Sequence, residues 1–124
     1  MRKFVVASAM VALQGTWVVV SVNGESIENQ GATMALSIEG DKYSQIVNGA
    51  VDETGTFTLD ATKKPAVFDL HIKEGNDAGK DQPGILELKD DTIVAFLAAP
   101  GASTRPANFD SADGQIYVIA KKMK

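Results

Sequence analysis

His71 is the only histidine of the chain, and Asp69 stands two positions before it. Positions two apart share a face of a strand, so an imidazole and a carboxylate at this spacing can hold or move a proton near neutral pH. General-base catalysis also needs a nucleophile or a bound electrophile within reach. No residue singles itself out for that part. Phe68, Leu70 and Ile72 alternate with the pair and claim the buried face, which leaves Asp69 and His71 towards solvent. No catalytic residue is assigned, and the chain is expected not to be an enzyme.

Metal chemistry fares no better. With one histidine and no cysteine only oxygen ligands remain, and calcium loops need several carboxylates at alternate positions. Asp110-Ser111-Ala112-Asp113-Gly114 has too few. Neither the phosphate-loop pattern nor Gly-x-Ser-x-Gly is present. No metal and no cofactor is expected. Arg105-Pro106 leaves two roles open. The guanidinium can receive a ligand carboxylate or phosphate, or it can staple its loop, with Pro106 fixing the backbone and Phe109 as an anchor.

At 124 residues, 44% apolar and 23% charged, the chain has the composition of one soluble globular domain. The net charge of −4 comes without a basic stripe, since the lysines are scattered as pairs such as Lys63-Lys64 and Lys121-Lys122. Nucleic acid and anionic membrane surfaces are therefore not expected partners. Residues 1–12 form an N-terminal segment with two readings. Val6, Met10, Leu13 and Trp17 fall on one helical face, whereas Arg2-Lys3, a short apolar stretch and Ala7-Ser8-Ala9 look like the remnant of an export signal. Cytoplasmic and exported locations both stay open, and the apolar run is too short to span a membrane.

From Leu13 onward the pattern is β. Eight short runs are bounded by turn signals: 14–22, 33–39, 42–47, 54–59, 66–72, 84–89, 92–98 and 115–122. Asn23-Gly24, Gly40-Asp41, Asn48-Gly49 and Asp90-Asp91 read as tight turns. Residues 25–31 and 74–80 read as loops, and 99–114 as a long connection. A sequential meander has two bare edges, and closing the sheet on itself removes both. The expected fold is all-β, an eight-stranded antiparallel up-and-down barrel over 13–124, with a flat or split sheet as the alternative.

Alternation assigns Met34, Leu36, Ile38, Tyr43, Phe57, Phe68, Leu70 and Phe96 to the interior, as candidate ligand contacts together with Arg105. The run 92–98 is apolar on both faces, so its inward set is undecided. Strands apolar on both faces need cover outside, from the N-terminal segment or from a second protomer in a homodimer. Short strands enclose little volume, so a filled core and a ligand cavity both stand.

Leu13-Gln14-Gly15-Thr16-Trp17-Val18-Val19-Val20-Ser21 resembles the opening of bacterial lipocalin-like domains. Asn23-Gly24, Gly55-Thr56-Phe57-Thr58-Leu59-Asp60, Lys63-Lys64-Pro65 before Asp69-Leu70, and Glu74-Gly75 with Gly79-Lys80 extend the match. Gly84-Ile85 before Leu88 and Pro100-Gly101 before Arg105-Pro106 and Phe109 carry it on, so that it spans 13–122. The chain is similar to a small family of such domains common in planctomycetes and related soil bacteria. The resemblance implies a calycin-type barrel, without an established activity, substrate or cofactor. It further implies that Gly15 and Trp17 shape the closed end, with Lys121 or Lys122 of the last strand near the indole. The expected function is non-enzymatic binding of a small apolar or amphipathic molecule inside the barrel. The rival is a filled barrel acting as a structural or protein-interaction module.

Overall fold

The computed structural model describes residues 10–106 and 115–123, and places them in one antiparallel sheet that closes on itself. Its strands are β1 (Gly15–Val22), β2 (Glu25–Ser26), β3 (Met34–Glu39), β4 (Lys42–Val47) and β5 (Ala50–Asp60). They continue as β6 (Ala66–Glu74), β7 (Asp81–Lys89), β8 (Thr92–Leu97) and β9 (Ile116–Lys122). β1 and β3 to β9 form the eight-stranded barrel in chain order, and β1 pairs with β9 to close it. Residues 10–13 are helical, and Glu28–Gln30 make one 3-10 turn. The helical face expected to start at Val6 lies in part outside the described residues, as do Phe109 and 110–114.

Turn chemistry sets the registers. Asn23-Gly24 and Asn48-Gly49 take positive φ at both positions, the twist that suits a two-residue hairpin. The first produces a feature absent from the eight-run reading: residues 25 and 26 turn back as a ninth, two-residue strand. β1 consequently has a divided edge, paired with β3 from Gly15 to Val18 and with β2 at Ser21 and Val22. Its other edge follows β9, with one register shift at Val20. Because of that shift Val19 and Val22, not Val19 and Ser21, both face the lumen.

The lower end is plugged. Trp17 is fully buried and its Nε1–H donates to the Leu13 carbonyl at 2.8 Å, fixing the helical residues across the barrel floor. Gln14 latches the β3–β4 turn, donating from Nε2 to the Gly40 carbonyl and accepting from the Gly40 N–H. Gly15 has φ +117, where a side chain would be strained, and this sharp entry lets β1 start directly beneath β9. The basic residue over the indole is Lys122, with Nζ 5.5 Å from the ring centroid. Lys121, one position earlier, points the other way and is exposed. The last strand's alternation fixes this: Ala120 and Lys122 share the inner parity with Val118.

β8 resolves likewise. Ile93, Ala95 and Leu97 face the lumen, so Phe96 lies on the outer face, against Tyr117 at 4.6 Å between ring centroids. Phe96 is nevertheless buried. Beside it on β7 lies Ile85, and the chain after β8 folds back over this wall, where Pro106 is also fully buried. The outer apolar stripe is thus covered at least in part by the chain's own 99–106 segment.

Candidate functional site

The upper half of the barrel is hollow. A cavity of about 350 Å³ lies between the strands, at the lower end of the size range of ligand pockets. Five of the expected interior residues line it: Met34, Leu36, Tyr43, Phe68 and Leu70. Ile93, Ala95, Leu97, Val118 and Ala120 complete the far wall. Ile38 and Phe57 are buried below the cavity and do not line it; Phe57 packs on Phe68 at 5.4 Å, a tilted ring pair that belongs to the lower core. Trp17 lies deeper still, in the plug.

The mouth is built by elements that the sequence pattern left as turns. β5 begins at Ala50 and β7 at Asp81, earlier than the apolar alternation indicates. Glu53, on the same parity as Gly55 and Phe57, lines the cavity and pairs across to Gln45 of β4. Asp52 is the extra residue of a bulge there, between the Gln45–Glu53 and Ile46–Val51 pairs, and it too reaches the lining. The 75–80 loop then brings Asn76 and Asp77 over the opening. It can lie this close because Gly75, at φ +117, has no side chain: a Cβ there would sit 2.9 Å from the Asp52 carbonyl oxygen.

Polar chemistry at the mouth centres on one pair, a buried tyrosine and a half-buried glutamate. Tyr43 donates its hydroxyl proton to Glu53 Oε2 at 2.9 Å. Burial raises the Glu53 carboxyl above the ordinary carboxylate range, the Tyr43 bond opposes that shift, and the charges of Asp77 and Asp52 add to it. Burial, reinforced by Glu53, likewise raises the Tyr43 phenol. Lower in the wall Gln82, only 5% exposed, donates from Nε2 to the Ala98 carbonyl at 2.9 Å. Glu53 and Gln82 are the residues that apolar patterning missed. Period-two counting back from Phe57 and from Leu86 reaches both.

Arg105 is not at the cavity. Its guanidinium grips Asp69 with both terminal nitrogens and donates to the Gly84 carbonyl at 3.1 Å, on the outer face of β6 and β7. This bidentate bond is the loop-staple role; the hydrogen bond to Asp69 also raises the Arg105 pKa. Asp69 therefore does not pair with His71. Instead His71 Nδ1 is 2.9 Å from Asp81 Oδ1, its cross-strand neighbour, with both side chains well exposed. No group of three or more potential metal ligands occurs among the described residues. No described helix is long and apolar enough to cross a membrane.

A second depression, of about 600 Å³, lies at the closed end between Leu13, the 61–66 turn and β7. It lies at the opposite end from the mouth, and Leu86 borders both spaces. No protein-family model and no curated protein matches the sequence. The barrel's own geometry is what bears on its function.

Proposed function

We propose that this chain is a non-enzymatic binding module of lipocalin-like type, which holds a small apolar or amphipathic molecule in the barrel lumen. One observation carries the reading: the apolar cavity of about 350 Å³ walled by the barrel strands. Burial of a ligand's hydrocarbon surface there supplies roughly 25 cal/mol per Å². A barrel acting only as a structural or interaction module gains nothing from such a lumen. The resemblance of 13–122 to lipocalin-like domains, which rests on the sequence alone, is in keeping with this proposal.

The test is titration with a hydrophobic reporter dye, followed by displacement with small apolar compounds. Dye enhancement that is reversed by competitors is expected, while Trp17 emission stays nearly constant because the indole lies in the plug. An unchanged dye signal across the titration counts against a ligand-holding barrel.

A further inference from the structure

The charged groups that line the lumen are of one sign among the described residues. Among the described residues the lining contains no lysine, arginine or histidine, and the arginine that offers itself for an acidic ligand is committed to Asp69 on the outer wall. What remains are carboxylates, together with the Tyr43 hydroxyl and the amides of Gln45, Asn76 and Gln82, which are neutral and offer acceptor oxygens as well as N–H donors. Glu53 Oε2 takes the Tyr43 proton, and Oε1 has no donor among the described residues. Gln82 is nine-tenths buried and uses its amide nitrogen on Ala98, which leaves its oxygen without a protein donor among the described residues. Gln45, opposite Glu53, makes no side-chain hydrogen bond there either.

Charge around the opening points the same way. Glu53 faces Asp52 on its own strand and Asp77 from the 75–80 loop. Lys80 lies 3.3 Å from Asp77, as an exposed pair of little strength. Glu25, Glu28, Glu74 and Asp81 stand on the same end of the barrel, with only Lys73 and Lys80 against them. The other described acids and bases are equal in number, so the excess negative charge sits at the mouth. The acids do not converge on a point as metal ligands do. A carboxylate that has one hydroxyl donor and no cation partner among the described residues is unfavourable beside an apolar cavity, and an organic cation that donates hydrogen bonds relieves it.

Building on the small-molecule reading above, we propose that the lumen takes an apolar amine: its hydrocarbon body fills the cavity and its ammonium head donates to Glu53 at the mouth, with Gln45 and Gln82 as further acceptors. At the ~30 Å³ that a small group occupies in a liquid, the space holds about ten non-hydrogen atoms. Fatty acids of the same length are disfavoured, because among the described lining residues no cation meets their carboxylate and Glu53 repels it.

The experiment compares n-nonylamine, 1-nonanol and nonanoate by calorimetry at neutral pH, on the unmodified protein and on Glu53→Gln. The amine is expected to bind at least about tenfold more tightly than nonanoate, and Glu53→Gln to weaken the amine about tenfold while nonanol changes little. Circular dichroism and thermal melts confirm that the variant is folded. Nonanoate matching the amine, or an amine affinity indifferent to Glu53→Gln, overturns the inference and leaves the binding-module reading standing. If none of the three binds the unmodified protein, both readings fall together.

Discussion

Burial and two neighbouring carboxylates hold the Glu53 proton more tightly in the folded chain than in the unfolded one. Its ionisation therefore works against folding once pH rises through the raised value, and that penalty disappears below the ordinary value of 4.5. Glu53→Gln removes it. The variant is expected to be more stable than the parent at neutral pH, with the difference shrinking to nothing as pH falls below about 4.5. Parallel urea titrations across this window check the sign; a variant less stable at pH 7 would mean that Tyr43 needs the carboxylate more than burial disfavours it. On the outer wall, Arg105 and Asp69 are partly exposed, at 35% and 26%. Screening limits such a pair, but its bidentate geometry keeps a coupling of about 1 kcal/mol in a double-mutant cycle of Arg105→Ala and Asp69→Ala.

Elements decide which side chains meet, and here the turns and bulges matter most. Gly75 lets the 75–80 loop rest on the Asp52 bulge. Gly75→Ala puts a methyl 2.9 Å from the Asp52 carbonyl and keeps a strained φ. A loss of about 2 kcal/mol in chemical denaturation is expected, with faster amide exchange in the loop. At the other end, Lys122→Ala removes the cation over Trp17 and a hydrogen bond to the Ala12 carbonyl, for about 1 kcal/mol. Lys121→Ala should be nearly neutral.

These same elements mark how far the sequence could be read. The barrel, its closure and most hairpins were legible because Met34-Leu36-Ile38 and Phe68-Leu70-Ile72 alternate cleanly between recognisable turns. Glu53 and Gln82 were not, because a strand defined by apolar alternation stops where polar residues turn inward. The run 92–98 is apolar on both faces, so alternation alone does not exclude Phe96 from the interior; Ala95 faces the lumen and the larger ring lies on the outer face, buried. Whether Lys121 or Lys122 reaches Trp17 turns on the parity of β9, which its two-sided apolar pattern does not reveal.

For the molecule as a whole, the lumen and the fold are separable. Ala95 faces the cavity between Leu86 and Val118, so Ala95→Phe sends a ring into open space instead of a packed core. The melting temperature is expected to hold or rise, whereas dye binding is lost. A variant that still binds dye would place the binding surface outside the barrel, with the groove beside Leu13 next in line. The β1 edge is asymmetric along the barrel as well: the plugged end is zipped to β3, and the mouth end only to the short β2.

The lopsided distribution of acids has an electrical outcome as well. With its surplus gathered at one pole, the barrel carries a dipole moment roughly along its axis, and it should adsorb to an anion-exchange bead rim-first. Immobilised that way, the protein would be corked by its own support; tethering through Lys121 or Lys63 at the opposite pole would leave the opening facing the bulk liquid.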